Sequence, residues 1–242
     1  MKFGFQIGTG ASAPVPINHD INSHCHVLLT GGSGAGKSYA LLYLMGSLLQ
    51  SDPNIAVYFC DFKNSEDFEF LKGYPYYYAG DDVFDGIATY YQCLCETRKT
   101  REYCRQHILI IDEYPAFINY LTIIDKRDKS KKATEVMGYI AEILMMGRGI
   151  GYGVWIITQR ADATLFTNGA RDNFMIIIGL GRMSKEQKGM VFAGEDIPDR
   201  IYGLGEGVIL ADGQPIMEIK YPCIKNVYDW KKHIKLILME HR

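Results

Sequence analysis

The residues Gly31 to Ser38, which read GGSGAGKS, constrain the fold of this chain more than any other stretch. The apolar run His26 to Thr30 precedes them, and the segment Tyr39 to Met45 that follows has helical spacing. A strand, a glycine-rich loop and a helix, in that order, are the context in which the pattern G-x-x-x-x-G-K-[ST] forms a P-loop. The alternative is a glycine-rich turn without a ligand, and the flanking strand and helix argue against it.

A P-loop wraps its backbone around phosphate so that several N–H groups point inward, and the following helix N-terminus adds partial positive charge. Lys37 is then expected to reach the β- and γ-phosphates, and the Ser38 hydroxyl to bind Mg²⁺. We therefore expect the chain to bind ATP and Mg²⁺. The expected nucleotide contacts are Gly31, Gly32, Ser33, Gly34, Ala35, Gly36, Lys37, Ser38 and Tyr39.

Two further polar sites follow apolar runs. Asp112 and Glu113 follow Ile108 to Ile111, and Gln159 follows the run 155–158. We expect Asp112 to hold Mg²⁺ through water and Glu113 to polarise the attacking water. Gln159 is expected to sense the γ-phosphate. The alternatives are a cap of the next helix for the acidic pair and an ordinary polar strand end for Gln159.

The composition is that of a folded domain with a large core, because 48% of the 242 residues are hydrophobic. The net charge of −2 means that any nucleic-acid surface must be local.

No pair of cysteines has C-x-x-C spacing, which favours reduced thiols in a cytoplasmic protein. A zinc site at His24, Cys25 and His26 is disfavoured, since neighbouring side chains on a strand point apart. No apolar run has the length of a membrane span, and we expect a soluble protein. The cysteines are Cys25, Cys60, Cys93, Cys95, Cys104 and Cys223.

Apolar strands alternate with helical segments, which predicts an α/β fold with a mostly parallel sheet covered by helices on both faces. Besides the strand before the P-loop, we predict strands over 2–7, 54–60, 76–78, 107–111, 153–158 and 174–179, and a hairpin of 207–211 with 215–220. Besides the helix after the P-loop, we predict helices over 65–72, 81–105, 133–146, 183–192 and 226–240. Residues 8–23 are expected to form a loop or tether. We therefore divide the chain into an N-terminal strand and tether, 1–23, and one globular domain, 24–242.

In their order, these stretches resemble the motor domain of the FtsK/SpoIIIE family, within the wider group of HerA-type and conjugative coupling ATPases. The resemblance covers roughly His24 to Cys223. Two residues depart from the family pattern: Phe62 and Ala161, which follows Arg160, each stand where the family has proline. These replacements could alter the shape of two loops. Beyond the P-loop, the similar segments are Asp61-Phe62-Lys63, Ile111-Asp112-Glu113, Gly147 to Gly151, Thr158-Gln159-Arg160, Ser184-Lys185 and Gly203 to Gly207.

The resemblance implies a RecA-like P-loop fold and assembly as a ring, usually a homohexamer, around double-stranded DNA. ATP then lies between subunits, and an arginine from the neighbour completes the site. Arg148 is the best match for that arginine, with Arg98 and Arg101 as the next candidates. The structural alternative for Arg148 is a helix C-terminal cap, because Gly147 and Gly149 flank it.

The same resemblance places DNA contacts at Arg160, Arg171 and Lys185, with Lys188 one turn further along. Contacts to phosphates would make the grip tolerant of sequence. Scattered solvated charges are the alternative. The basic run Lys126 to Lys132 is expected to be a flexible solvated loop, and DNA or partner contact there is the lesser alternative.

Taken together, these features predict an ATPase that translocates double-stranded DNA, of a kind that a phage or mobile element would encode. We expect the chain to lack the membrane segments and the C-terminal winged helix of full-length family members, which leaves room for a recruiting membrane or DNA-processing protein. Two alternatives stay open: an ATPase that drives protein secretion, and an ATP-gated interaction module with negligible turnover.

Overall fold

One sheet organises the computed structural model, which describes residues 1–8, 13–103, 105–160 and 166–240. Its strands are β1 (Lys2–Gln6), β2 (Val15–Asn18), β3 (Val27–Gly31), β4 (Ala56–Asp61), β5 (Tyr77–Ala79), β6 (His107–Asp112), β7 (Tyr152–Thr158), β8 (Ile176–Leu180), β9 (Glu206–Ala211) and β10 (Met217–Lys220). The helices are α1 (Lys37–Ser51), α2 (Val83–Thr100), α3 (Tyr114–Asp128), α4 (Lys132–Met146), α5 (Lys185–Val191) and α6 (Val227–Glu240).

The sheet is parallel through most of its width and antiparallel at one side. The parallel strands lie in the order β8-β3-β7-β6-β4-β5, and β9, β10, β1 and β2 continue the sheet beyond β8 as antiparallel strands. All the parallel strands therefore end at one edge of the sheet, which we call the carboxyl edge, and begin at the other, the amino edge. Open α/β sheets bind ligands outside the carboxyl ends of their strands.

Helices cover both faces of the sheet, which is why the parallel strands are continuously apolar. On one face α1 and α6 pack against the strands through Leu41, Leu44 and Leu48 of α1 and Ile234 and Leu238 of α6. On the other face, α2, α3 and α4 pack through buried side chains such as Tyr90, Phe117, Val136 and Ile140. The predicted α/β fold with a mostly parallel central sheet and helices on both faces is confirmed.

Two segments expected to be irregular are ordered. Part of the predicted tether is β2, which pairs with β1 at the free side of the sheet. Ile17 is buried there, and an edge strand tolerates Pro16, whose missing N–H faces no partner strand. Residues 9–12 lie outside the described residues, and the division of the chain at residue 23 stays a prediction.

The basic run Lys126 to Lys132 is also not a long loop. Its ends belong to α3 and α4, and only residues 129–131 connect the two helices. Asp125 holds this connection, because its carboxylate accepts hydrogen bonds from the backbone N–H groups of Lys132 and Ala133, both at 2.8 Å, and from the Ser130 hydroxyl. An acidic side chain at the start of a helix is a favourable N-terminal partner.

The predicted helix over 65–72 is wrong for most of its length, since only the 3₁₀ turn Glu69–Leu71 is helical. The carboxylate of Asp61 accepts a hydrogen bond from the backbone N–H of Ser65 at 2.9 Å, which fixes this segment as a turn. Cys25 and Cys60 are buried, whereas Cys223 is exposed and Cys104 lies outside the described residues. No cluster of described residues could hold a metal ion on protein ligands alone, and no described helix is long and apolar enough to cross a membrane.

Candidate nucleotide site

A cavity of about 430 Å³ lies at the carboxyl edge, beyond the ends of β3, β4, β6 and β7. It brings together residues from Ser33 to Leu204, about 170 positions apart in the chain, and most of them meet because parallel strands end side by side. The residues predicted from the sequence that line it are Ser33, Gly34, Gly36, Lys37, Ser38, Tyr39, Asp112, Glu113 and Gln159. The other predicted loop residues are close by, since Gly32 and Ala35 line an adjoining cavity of about 230 Å³ and Gly31 is the last residue of β3.

The loop after β3 has the backbone that glycine permits. Gly34 and Gly36 have φ angles of 76° and 93°, in the left-handed region that other residues rarely adopt. Gly36 is the N-cap of α1, and no side chain caps this helix or adds negative charge to its first turn. The first amides and the positive end of α1 therefore face the cavity without a competing side chain, an arrangement suited to phosphate.

Lys37 and Tyr39 have different partners in this loop. The Lys37 Nζ donates hydrogen bonds to the carbonyl oxygens of Gly31 at 2.8 Å and Gly32 at 3.1 Å. Burial lowers the pKa of Lys37, against the opposing effect of Glu113 and Asp112. The Tyr39 hydroxyl accepts a hydrogen bond from the backbone N–H of Ile224, which ties the start of α1 to the segment before α6. The Lys37 ammonium is thus held on the loop carbonyls, in the same cavity as the acidic pair, whereas the hydroxyl of Tyr39 is bonded to the segment before α6.

Asp112 lies between other acidic groups at the strand ends. It is 8% exposed and is paired in register with Asp61 of β4. Burial raises its pKa to about 7, with Glu113 and Asp61 adding to the rise and Lys63 and Lys37 opposing it. A buried carboxyl with a raised pKa gains from a nearby cation.

The residues at this point fit Mg²⁺ in the manner expected for a nucleotide complex. The Ser38 hydroxyl and the Asp112 carboxylate are both oxygen donors on the wall of one cavity. They supply few ligands, and Mg²⁺ commonly completes its six positions with water and substrate phosphates. When bound, the ion would neutralise charge on the phosphates, and Ser38 and Asp112 are the residues that would hold it.

Glu113 occupies the N-cap position of α3, but its side chain does not cap that helix. Its backbone is left-handed, with φ of 57°, which is uncommon for a residue with a side chain and is a feature of many functional sites. This conformation directs the carboxylate into the cavity, where its Oε1 accepts a hydrogen bond from the Gln159 Nε2 at 3.1 Å. Glu113 thus stands at the start of α3 without capping it through its side chain, which is bonded to Gln159 instead, and the roles of both residues stay predictions.

The sequence predicted no role for Lys63, which also lines the cavity. Its Nζ lies 3.4 Å from the Glu113 Oε1. The adjacent Asp61 is buried and accepts a hydrogen bond from the Tyr77 hydroxyl at 3.1 Å. The available signal was the segment Asp61-Phe62-Lys63 directly after a buried strand, which places a charge at the carboxyl edge.

The arginines expected to reach a neighbouring subunit lie at the amino edge. Arg148 is exposed in the 3₁₀ turn Gly147–Ile150, which follows α4 and leads into β7. Arg98 and Arg101 are exposed at the end of α2, which leads towards β6. Arg148 directly follows Gly147, the C-cap residue of α4, and its role stays a prediction. β3 alone has five residues, so the two edges are separated by roughly 15 Å.

The four predicted DNA contacts do not lie together. Arg160 follows β7, and Lys185 and Lys188 lie on α5 after β8, so these three are on the carboxyl side. Arg171 lies in a 3₁₀ segment that leads into β8, on the amino side. Lys188 also has an acidic partner, because its Nζ lies 3.8 Å from the Asp199 Oδ1. Ala161 and the rest of the loop after Arg160, residues 161–165, lie outside the described residues.

No protein-family model matches the chain. It is 25% identical to the FtsK domain-containing protein YdcQ of Bacillus subtilis over 236 residues, an alignment that covers 88% of this chain and 46% of that protein. The chain thus spans about half the length of this relative. Solved structures with a similar fold include EssC (ATPases 2 and 3) from Geobacillus thermodenitrificans, with a TM-score of 0.70, 12% identity, and coverage of 99% of this chain and 48% of that chain.

Two other solved structures contain nucleotide analogues. The pCW3 conjugation coupling protein TcpA, solved with ATPγS, has a TM-score of 0.69 and 20% identity over 100% of this chain and 70% of its own. The genome packaging NTPase B204 from Sulfolobus turreted icosahedral virus 2, in complex with AMPPCP, has a TM-score of 0.53 and 18% identity over 83% of this chain and 99% of its own. The resemblance predicted from the ordered motifs is thereby confirmed: the chain is similar to FtsK-type proteins and has the fold of RecA-like P-loop ATPases.

Proposed function

We propose that this chain is an ATP-hydrolysing motor domain that moves double-stranded DNA and acts as a ring of identical subunits. One observation carries the proposal: Lys37, Asp112, Glu113 and Gln159, from three separate segments of the chain, line one cavity at the end of the P-loop strand. A P-loop alone binds phosphate, whereas a carboxylate beside it supports hydrolysis.

In the proposed reaction each of these residues has one task. The loop amides and Lys37 hold the phosphates, and Ser38 and Asp112 hold the Mg²⁺ that neutralises charge. Glu113 orients and polarises the water that attacks the γ-phosphorus, and Gln159 positions Glu113 through the hydrogen bond at 3.1 Å. The products are ADP and phosphate.

The position of Arg148 supports action as a ring. Arg148 lies at the amino edge, roughly 15 Å from the carboxyl edge of the same subunit, so it cannot complete its own cavity. A neighbour that packs its amino edge against this carboxyl edge would place Arg148 beside the phosphates, where a guanidinium stabilises the charge of phosphoryl transfer. Arg98 and Arg101 share this edge and are the alternative fingers.

DNA is the cargo that the exposed cations favour. Arg160 and Lys185 are exposed on the carboxyl side, close to Gln159, and phosphate contacts require such side chains. TcpA is named as a conjugation coupling protein and B204 as a genome packaging NTPase, and both names agree with a DNA cargo. A protein cargo is the second candidate, because a similar structure is EccC, a Type VII secretion ATPase.

ATP hydrolysis by the purified chain, measured with and without linear duplex DNA, tests the proposal. The mass of the same sample is followed by light scattering, so that turnover is related to assembly. Stimulation by duplex DNA is the expected result. Turnover that is indifferent to DNA favours the protein cargo, and nucleotide binding without turnover favours a gated interaction module.

A further inference from the structure

Lys63 has a direct contact with the proposed general base. Its Nζ lies 3.4 Å from the Glu113 Oε1, and the Lys63 side chain is 46% exposed whereas that of Glu113 is 12% exposed. Lys63 comes two residues after β4, the strand that pairs with the strand preceding Glu113. The contact thus joins the ends of two neighbouring strands across the mouth of the cavity.

The same carboxylate oxygen has a second donor. The Gln159 Nε2 donates a hydrogen bond to Glu113 Oε1 at 3.1 Å, so Lys63 and Gln159 approach one oxygen from the ends of β4 and β7, the strands on either side of β6. A general base must offer an oxygen within about 2.6–3.2 Å of the water that it activates. An oxygen that is already held by an ammonium and an amide is less available for that water.

We propose that Lys63 is a positioning residue that restrains Glu113 through one carboxylate oxygen, and that release of this oxygen by Lys63 speeds the activation of water. The proposal rests on the proposed function, because it requires Glu113 to act as the base. It deepens that function by giving the site a means to keep hydrolysis slow until a partner is engaged.

The surroundings of Lys63 allow such a release. The preceding Phe62 packs against Phe117 and Tyr120 of α3, with ring centroids 5.4 and 5.1 Å apart, and this anchors the backbone. The ammonium group at the end of a flexible, half-exposed side chain remains free to move. Ion pairs of this exposure are weak, so a modest change nearby can break them.

A chain of hydrogen bonds also leads from the base towards α5. The Gln187 Nε2 donates to the carbonyl oxygen of Gln159 at 3.1 Å, and the Gln187 Oε1 accepts from the backbone N–H of Ser184 at 3.0 Å. Ser184 caps α5, whose first residue is Lys185. The start of α5 is therefore connected by hydrogen bonds to Gln159, the second residue that holds Glu113.

The test compares Lys63→Met, which removes the charge with little change in length, with Lys63→Arg, which keeps it. Basal kcat of Lys63→Met is expected to rise about fivefold, which corresponds to about 1 kcal/mol in the barrier. KM for ATP and the Kd of a fluorescent ATP analogue should stay within about twofold of wild type. Lys63→Arg should restore the slow basal rate. Lys72→Met is the matched control, since it removes an exposed lysine that pairs with Glu69 outside the cavity.

Two further measurements separate the restraint from a loss of fold and from a failure of the proposed function. Thermal unfolding of Lys63→Met should match wild type, and adding Glu113→Gln should abolish the extra turnover. If kcat of Lys63→Met is unchanged or falls while the analogue still binds, the proposed restraint by Lys63 is overturned. The same conclusion holds if neither the wild type nor Lys63→Met shows turnover. A chain that binds no analogue removes the proposed function itself.

Discussion

The two edges of the parallel sheet use their charged side chains in different ways. At the carboxyl edge, Lys37, Lys63 and Asp112 lie around one cavity, and Glu113 contacts Lys63 and Gln159 directly. At the amino edge, Arg148 is exposed and forms no ion pair with any residue that the structure describes. At the carboxyl edge the charged side chains thus lie close to one another around the cavity, whereas at the amino edge Arg148 is exposed to solvent.

This difference indicates which parts of the site one subunit contains. The carboxyl edge has the groups that we propose bind phosphate and activate water. The amino edge has the Arg148 guanidinium, which phosphoryl transfer could use, but this group cannot reach the cavity of the same subunit. We therefore expect nucleotide binding to depend on one edge and hydrolysis to depend on both.

Arg148→Ala should have the largest effect on turnover, a loss of about 10³-fold in kcat, because an arginine finger stabilises only the transition state. The Kd of ATP should change little. Mixing Arg148→Ala with Lys37→Ala subunits should recover activity, since mixed interfaces then contain one intact cavity and one intact arginine. If assembled mixtures recover no activity, Arg148 is not the finger, and Arg98 and Arg101 become the candidates to test.

Within the carboxyl edge, Glu113→Gln should lower kcat by about 10²- to 10³-fold, as expected for loss of a general base. ATP binding should persist, because the phosphate contacts are unchanged. Lys37→Ala should instead lose binding, and calorimetry with ATP distinguishes the two variants. Normal turnover of Glu113→Gln would exclude this carboxylate as the base.

Charge reversal at the carboxyl edge should have a smaller effect. Arg160→Glu combined with Lys185→Glu is expected to reduce stimulation by duplex DNA several-fold, because phosphate contacts are lost, and to increase the sensitivity of stimulation to salt. Lys232→Glu on α6, an exposed lysine on another surface, is the matched control. Equal stimulation by duplex DNA in both variants would exclude Arg160 and Lys185 as DNA contacts.

The last effect is of another kind, on stability in acid rather than on activity, and it belongs to the amino edge. Burial lowers the pKa of His26 to about 4, with Arg148 adding to the effect, and the unfolded value is 6.5. The unfolded chain therefore binds more protons between these values, and the free energy of unfolding falls as pH falls from about 6.5 to 4.

For His26 alone the loss is at most about 3 kcal/mol. Urea denaturation at a series of pH values measures it. His107 has a pKa that burial also lowers to about 4, so His26→Asn should reduce the dependence without abolishing it. An unchanged pH profile in this variant would show that His26 is not the source.

Much of the site could be predicted from the sequence because its residues follow local patterns. The P-loop needs glycines at fixed positions, and Gly34 and Gly36 have the positive φ angles that require them. Asp112, Glu113 and Gln159 follow apolar strands, and strand ends meet at one edge in a parallel sheet. The helix α3 was missed although Tyr114, Phe117, Ile118 and Leu121 have helical spacing and are buried.

The sequence by itself determined the order of strand, loop and helix and the chemical types at the strand ends, since backbone conformation and burial act over a few residues. Only the tertiary structure decided that Lys63 contacts Glu113 and that Arg171 lies on the opposite side from Arg160. Such relations depend on strand order and on the direction of side chains, which are settled when distant segments pack together.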